Sequence, residues 1–257
     1  MRVVFTFLSI FVFWSSAVAA QEQTPENKNT VIVLGMIHSR HLESERYSLE
    51  VVRSAIRKID PDYVLTEIPP DLLAEAAASF AVEGEVTEAR VARFPEYTDV
   101  LFPLTKEMDF KIIPTAGWSR PMASYRRDAL ERLSKDPKRA EDWATYQSAV
   151  DALNEEIGAR SDDPLFIHTD AYDALIKKGY SPYATLFAND LGRGDWERIN
   201  AAHYELIDAA LNHHAYEGAT MLITFGAGHK YWFLEQLRKR DDINLVNPAQ
   251  YLENAEQ

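Results

Sequence analysis

Five short runs of apolar residues along the chain predict the strands of a sheet. Two of them, residues 30–34 and 220–225, are apolar or β-branched almost without interruption, which is typical of strands buried on both faces. Three shorter runs at residues 63–66, 111–113 and 243–246 predict the remaining strands. The continuous character of the longer runs favours a sheet that is covered by other elements on both sides.

Segments with apolar residues at helical spacing separate these runs. The first such segment, residues 43–59, has Leu49, Val52, Ile56 and Ile59 on one helical face. A strand, a helix and a strand in this order form the unit from which parallel sheets are built. The pattern therefore predicts an α/β fold with a mostly parallel central sheet flanked by helices.

The middle of the chain predicts a helical insertion in this fold. Residues 122–160 are highly charged and have helical periodicity, with a break at Asp136-Pro137. We expect two helices there, which form an insertion or lid and not a separate domain. Residues 170–178 predict a short helix, and residues 180–195 predict a loop.

Aspartate residues mark where several helices begin and end. Asp60-Pro61-Asp62 is expected to end the first helix. Asp71 precedes an alanine-rich segment, and Asp195 precedes a long amphipathic segment. An aspartate side chain accepts hydrogen bonds from free N–H groups at a helix start, so both residues are expected to be N-caps.

The first residues of the chain predict a signal peptide. Residues 1–20 contain one charge, Arg2, followed by an apolar run and small residues, which is the pattern of a cleaved leader; an N-terminal membrane anchor is the alternative. Residues 21–29 are polar and predict a flexible lead-in, and residues 30–257 predict a single domain. No later run is long and apolar enough to span a membrane. The mature protein is therefore expected to be periplasmic or secreted.

Composition and charge exclude several classes of protein. The 257 residues carry a formal net charge of −13 and contain no cysteine. The absence of cysteine excludes disulfides, thiolate metal sites and a cysteine nucleophile. The acidic balance argues against a nucleic-acid partner, which requires a basic face. The expected partner is a small-molecule or peptide substrate, while the oligomeric state stays open.

Candidate catalytic and metal-binding residues follow the predicted strands. Gly35-Met36-Ile37-His38 and Gly226-Ala227-Gly228-His229 each follow a buried strand, and Glu67 ends another. Ligands of parallel α/β sheets bind beyond the carboxyl ends of the strands, so these three residues are expected to share one site. Two histidines and a carboxylate suit a divalent metal that activates water. Without a metal, the same residues suit a general base with an orienting carboxylate.

The other histidines are weaker candidates for this site. His41 follows His38 by three residues and is a candidate additional ligand. His203 lies on the apolar stripe of a predicted helix, so a buried structural role is expected, whereas His168 is left undecided. No Gly-x-Ser-x-Gly sequence occurs, which disfavours serine hydrolase chemistry.

Several segments resemble a known superfamily. It includes the TraB/PrgY and GumN proteins, the Tiki-type proteases, the haem-binding ChaN lipoproteins and the erythromycin esterases. The similar segments are both Gly-x-x-His sequences with their strands, the strand ending in Glu67, the Glu197-Arg198-Ile199-Asn200 sequence and the tail at residues 243–252.

The resemblance covers both ends of the chain and little of its middle. It implies an erythromycin esterase/ChaN-like fold, with His38, Glu67 and His229 as the central catalytic and metal-binding residues. It also implies that Arg198 supports them by neutralising Glu67 or by binding an oxyanion. This sequence departs from the superfamily pattern, because it has Arg-Ile-Asn where Arg-Asn is usual.

Three functions are compatible with these observations. The first is an exported hydrolase, a protease or esterase in which a divalent ion such as Mn, Co or Zn, bound by two histidines and a glutamate, activates water against an amide or ester. The second is a binding protein for haem or another small ligand, with His41 among the cofactor ligands. The third is an accessory protein that captures a peptide without cleaving it.

Overall fold

The computed structural model describes residues 27–253, which form a five-stranded parallel sheet with helices packed against it. The strands are β1 (Asn29–Met36), β2 (Tyr63–Thr66), β3 (Lys111–Pro114), β4 (Thr220–Gly226) and β5 (Ile243–Val246). Their order across the sheet is β3-β2-β4-β1-β5, and every neighbouring pair is parallel. The predicted α/β class and parallel sheet are confirmed.

Helices connect and cover these strands. The α-helices are α1 (Leu49–Ile59), α2 (Leu73–Glu83), α3 (Phe102–Leu104), α4 (Arg120–Lys135), α5 (Ala140–Ile157), α6 (Pro164–Ile167), α7 (Asp170–Leu186), α8 (Ala188–Leu191), α9 (Trp196–His213), α10 (Ala227–Leu237) and α11 (Ala249–Leu252). A π-helical segment spans Glu96–Leu101, and short 3-10 turns include His38–Leu42 and Val91–Arg93.

Two apolar cores lie on opposite faces of the sheet because successive strand side chains alternate in direction. From β1, Ile32 and Leu34 enter the core that also contains residues of α1. Val31 and Val33 enter the other core, which contains residues of α9 and α10. Burial on both faces explains why β1 and β4 read as continuous apolar runs in the sequence.

The central position of β4 determines which strand ends lie next to each other at the edge of the sheet. This strand follows β1 and β2 late in the chain, yet it pairs with both of them. Gly226 at its end pairs with Met36 of β1, and Thr224 pairs with Thr66 of β2. The carboxyl ends of three adjacent strands therefore open at the same place on the sheet edge.

The helical middle of the chain is longer than predicted. The two helices expected at residues 122–160 are present as α4 and α5, but the predicted loop at residues 180–195 is wrong. Helix α7 continues to Leu186 through an internal proline, Pro182. A proline removes one helical hydrogen bond, but Tyr183 and Phe187 of this segment are buried against Tyr146. Apolar burial outweighs the local preference for a break.

Of the two predicted aspartate caps, the structure confirms one and contradicts the other. Asp195 accepts hydrogen bonds from the N–H groups of Glu197 and Arg198 and caps α9, as predicted. Asp71 does not cap α2, because that helix begins after Leu72 and has no side-chain cap.

The predicted signal peptide lies outside the described residues. Within residues 27–253, no helix has both the length and the apolar character needed to cross a membrane.

Candidate functional site

The carboxyl ends of β1, β2 and β4 carry three of the residues predicted for the site. Glu67 follows β2 directly, His38 follows β1 after one residue, and His229 lies in the first turn of α10 after β4. Since these strands are adjacent and parallel, their ends form one edge of the sheet. The topology thus brings the three predicted residues to the same region.

His38 and Glu67 face each other beside Gly226. The distance from His38 Nε2 to Glu67 Oε2 is 3.8 Å, and the same carboxylate oxygen accepts the Gly226 N–H at 2.9 Å. A Cβ atom on Gly226 would lie only 2.6 Å from His38 Nε2. The glycine is therefore required for the approach of the imidazole to the end of β4.

A buried glutamate fixes the other side of the His38 ring. His38 Nδ1 lies 2.6 Å from Glu96 Oε1, and the imidazole packs edge-on against Phe94 with ring centroids 4.8 Å apart. The side chain of His38 is 34% exposed, whereas that of Glu96 is fully buried. His38 is thus the accessible member of this pair, with its Nε2 atom facing Glu67.

The two carboxylates change the protonation of His38. Burial lowers its pKa, but the hydrogen bond to Glu96 and the charges of Glu96 and Glu67 outweigh burial, so the pKa is raised above 6.5. At any given pH, a larger share of this ring is therefore protonated than of a histidine in water. The neutral ring, which is the form that accepts a proton, dominates only above the raised pKa.

Tyr97 fixes the position of Glu67. Its hydroxyl accepts the N–H of Glu67 at 2.8 Å and donates to the carbonyl of Thr224 at 2.8 Å. These two bonds join the end of β2 to the end of β4. Burial, together with the neighbouring carboxylates, raises the pKa of Tyr97 well above its usual range, so the hydroxyl keeps its proton.

His229 is oriented by an asparagine on α9. Its Nδ1 atom lies 2.7 Å from Oδ1 of Asn200, whose Nδ2 group donates to the carbonyl of Trp196 at 2.7 Å. Because the amide nitrogen is used by Trp196, the oxygen faces the ring and His229 Nδ1 carries the proton. The Nε2 atom of His229 is therefore an acceptor.

Electrostatic interactions couple His229 to the other site residues. Burial lowers its pKa, the charge of Glu67 raises it, and the charges of His38 and Arg126 lower it further. The net effect is a lowered pKa, so this imidazole is neutral at neutral pH. Within the described residues, however, neither a hydrogen bond nor an ion pair joins His229 to His38 or Glu67.

His203 lies behind His229, as a buried residue of α9. The predicted burial of His203 is confirmed, since its exposed fraction is 0%. Its Nδ1 atom accepts the N–H of Gly117 at 2.7 Å, and its ring meets that of His229 edge-on at 5.2 Å. Burial lowers the pKa of His203 well below 6.5. The neutral imidazole of His203 thus packs against the neutral imidazole of His229.

Arg198 does not join this group of residues. Its guanidinium pairs with Asp195 at 2.8 Å and donates to the carbonyls of Ala188 and Gly192. These contacts tie the start of α9 to the preceding turn. In the described part of the chain, Arg198 has no ion pair with Glu67, so the arrangement does not provide the expected neutralisation; the alternative, binding of an oxyanion, stays a prediction.

His41 also lies apart from the accessible site. It is 2% exposed, its Nε2 atom accepts the Ile37 N–H at 3.0 Å, and its Nδ1 atom is 2.6 Å from the carbonyl of Tyr47. Both ring nitrogens are engaged by the backbone. His41 therefore stabilises the turn after β1, and neither nitrogen is free to bind a haem iron.

The predicted metal ligands share the edge without forming a ligand set. Among residues 27–253, no group of three or more histidine, cysteine, aspartate or glutamate side chains is arranged to hold a metal ion. One nitrogen of His38 is bound by Glu96, and one nitrogen of His229 is bound by Asn200. Within the described residues, the other nitrogen of each ring has no such bond, so these contacts do not by themselves prevent metal binding, and the predicted metal site stays a prediction.

Sequence reasoning missed Glu96 as a site residue. Glu96 lies in a π-helical segment between β2 and β3, and no strand end or motif marks it in the sequence. Its distance to His38 depends on how this segment folds over the sheet edge. Asn200 had a weak signal, because it ends the Glu197-Arg198-Ile199-Asn200 sequence, but its role on His229 becomes visible only in the structure.

Comparisons of this chain with protein-family models, with curated protein sequences and with solved structures return no match. The superfamily resemblance thus stays a prediction that depends on the quoted sequence segments alone.

Proposed function

We propose that this protein is a hydrolase that cleaves an ester or amide with His38 as the general base. The observation that carries the proposal is the arrangement around His38: one nitrogen is held by buried Glu96, and the other faces Glu67 on the accessible side. A histidine oriented by a carboxylate on one nitrogen and open on the other is suited to proton transfer.

The gap between His38 and Glu67 provides a place for the attacking water. The 3.8 Å separation of His38 Nε2 and Glu67 Oε2 is too long for a hydrogen bond but short enough for one water to contact both atoms. His38 takes a proton from this water while the water oxygen bonds to the substrate carbonyl carbon. The same proton then passes from His38 Nε2 to the leaving oxygen or nitrogen as its bond to the carbonyl carbon breaks.

The start of α10 is suited to stabilise the oxyanion that forms on the carbonyl oxygen. No side chain caps this helix, and its first turn contains His229. Free N–H groups at a helix start favour negative charge. Its lowered pKa makes His229 a weaker base than His38, and its acceptor Nε2 suits a hydrogen bond from the substrate.

Hydrolysis of a panel of para-nitrophenyl esters and para-nitroanilides by the purified protein tests the proposal. We expect His38→Ala to lower kcat/KM by about 10²- to 10⁴-fold, the usual contribution of a positioned base. His213→Ala, an exposed histidine at the end of α9, is the matched control and should change nothing. No turnover by the wild-type protein, or equal turnover in the His38 variant, would contradict the proposal.

The predicted metal-dependent route is tested in the same assay. It requires His38, Glu67 and His229 to converge on an ion, which the described arrangement does not supply. We expect turnover to survive treatment with EDTA if His38 acts as the base without a metal. Loss of turnover on chelation, with recovery on adding Zn²⁺, Mn²⁺ or Co²⁺, would favour the metal route instead.

A further inference from the structure

An arginine-rich pocket lies beside the candidate site. It has a volume of about 460 Å³, and its lining includes Arg90, Arg93, Arg126, Trp118 and Phe94. Phe94 also packs against the ring of His38, so the pocket wall and the proposed base share a side chain. The chain as a whole carries a net charge of −13. A local excess of arginine in such a protein calls for a specific explanation.

Two of the guanidinium groups flank the indole ring of Trp118. Arg90 and Arg126 each lie 5.9 Å from the centroid of this ring. Arg126 also donates its Nε–H to the hydroxyl of Tyr183 at 2.8 Å. In the part of the chain that the structure describes, no carboxylate forms an ion pair with Arg90 or Arg126. Both cations are thus positioned by aromatic contacts and lack an acidic partner at contact distance.

The acidic residue in the pocket lining, Glu88, is already engaged. One of its oxygens accepts the backbone N–H groups of Arg90 and Val91, both at 2.9 Å. The other oxygen pairs with Arg120 at 3.5 Å. Glu88 therefore fixes the backbone of the pocket and forms its ion pair with Arg120.

The charges of Arg90 and Arg126 influence the pKa values of histidines at the candidate site. Burial lowers the pKa of Arg90, although Glu67, Glu88 and Asp71 raise it. Its charge also lowers the pKa of His203, as the charge of Arg126 does for His229. A cation that has lost water without gaining an equivalent partner is destabilised, and an incoming anion relieves that cost.

We propose that this pocket binds an anionic group of the substrate, a carboxylate or a phosphate, while the scissile bond lies at His38. Arg90 and Arg126 offer planar N–H forks that match the oxygens of such groups, and Trp118 provides an apolar wall between them. This inference depends on the proposed hydrolase function and names its substrate class.

A matched pair of esters tests the substrate class. The para-nitrophenyl monoester of glutaric acid carries a carboxylate on its acyl chain, and para-nitrophenyl valerate is its neutral counterpart. We expect wild-type kcat/KM to favour the anionic ester by about 10-fold or more, and Arg90→Gln or Arg126→Gln to lower kcat/KM for that ester by about 10- to 100-fold. The loss for the neutral ester should be at least about 5-fold smaller than the loss for the anionic ester, since the neutral ester makes no ionic contact with either guanidinium.

The control removes the same charge outside the pocket. Arg132 is exposed on α4, the helix that carries Arg126, and does not line the pocket. Arg132→Gln should leave both esters unaffected. Equal hydrolysis of the two esters by the wild-type protein, or an equal loss for both esters in the Arg90 and Arg126 variants, would overturn the inference.

Direct binding separates this inference from the proposed function. Titration calorimetry with glutarate and with inorganic phosphate, on the wild-type protein and on His38→Ala, should show saturable binding that weakens about 10-fold or more in Arg90→Gln. Arg90→Lys and competition by glutarate in the wild-type protein cover the case in which the glutamine variants fail to fold. Neutral-ester hydrolysis without anion binding overturns the pocket alone. Arginine-dependent binding without any hydrolysis overturns the hydrolase and retains the anion site.

Discussion

At the scale of single residues, the site depends on a histidine that is held in an uncommon backbone conformation. His38 has a φ of 53°, in the left-handed region that side chains other than glycine adopt rarely. This conformation costs about 1–2 kcal/mol for an L-residue. It is maintained because the ring is bonded to Glu96 on one side and confined by Gly226 on the other. Such strain is common where a side chain is positioned for chemistry.

Replacing Glu96 by glutamine should shift the pH dependence of hydrolysis. The carboxylate of Glu96 raises the pKa of His38, so activity of the wild-type protein should fall as pH decreases through a value above 6.5. In Glu96→Gln the pKa of His38 falls, and this acidic limb moves to lower pH. We also expect kcat to decrease by about 10-fold or more, because the ring is less firmly oriented.

Profiles of kcat/KM against pH check this expectation, with Glu131→Gln as the control. Glu131 is an exposed carboxylate on α4. It pairs with Lys135 and is not among the described residues that contact His38. An acidic limb that stays at the same pH in Glu96→Gln would show that Glu96 does not set the protonation of His38.

Two neighbouring glycines offer a matched test of the packing around His38. In Gly226→Ala, the added methyl group would lie 2.6 Å from His38 Nε2, so the ring must move and kcat/KM should fall by about 10- to 100-fold. In Gly228→Ala, the nearest atoms are 3.7 Å away, an ordinary contact, and activity should be retained. Circular dichroism would show that both variants are folded. Similar activities in the two variants would contradict the placement of His38.

At the scale of elements, helix α9 connects stability to the site. It begins at the Asp195 cap, carries Asn200 on its second turn and packs Ile207 and Leu211 into a core of the sheet. Asn200 in turn holds His229 of α10. The orientation of a site residue on one helix is therefore fixed by a polar residue on another, whose own position depends on the cap.

Removing the cap should weaken the fold measurably. Asp195→Ala deletes the acceptor of the Glu197 and Arg198 N–H groups, so we expect a loss of about 1–2 kcal/mol in the free energy of unfolding. Asp71→Ala is the control, because Asp71 is exposed and caps no helix; its change should stay within about 0.5 kcal/mol. Urea denaturation measures both, and equal losses would refute the distinction between the two aspartates.

At the scale of the whole molecule, buried histidines make stability depend on pH. Burial and the charge of Lys230 lower the pKa of His168 to about 3, although the carbonyl of Pro164 opposes this. The ring accepts the Gly35 N–H at 2.8 Å, which requires the unprotonated nitrogen. The stability contributed by the neutral ring is complete above about pH 6.5 and is lost as pH falls toward 3, because the unfolded chain binds the proton first.

Replacing His168 by glutamine should flatten this dependence. The amide oxygen of glutamine accepts the Gly35 N–H but does not titrate. Between about pH 6.5 and pH 5, we expect the wild-type free energy of unfolding to fall by about 2 kcal/mol more than that of His168→Gln. Urea titrations at a series of pH values measure the difference. Parallel slopes for the two proteins would mean that His168 is not the group responsible.

Much of the fold could be predicted because each strand has a local signature. The runs at residues 63–66 and 243–246 match β2 and β5, and the others differ from the observed strands by a few residues at their ends. The errors arise where tertiary contacts override local preference. A loop was predicted over residues 180–195, yet α7 continues through Pro182 because Tyr183 and Phe187 are buried.

The sequence by itself determined the type of sheet and the placement of His38, Glu67 and His229 at strand ends, because apolar runs and the residues that end them are local properties of the chain. Only the tertiary structure decided which side chains meet. The insertion of β4 between β1 and β2 brings Gly226 to His38 and Glu67. The folding of residues 90–126 over the sheet edge supplies Glu96 and the arginines of the pocket, because contacts between distant segments depend on packing and leave no periodic trace in the sequence.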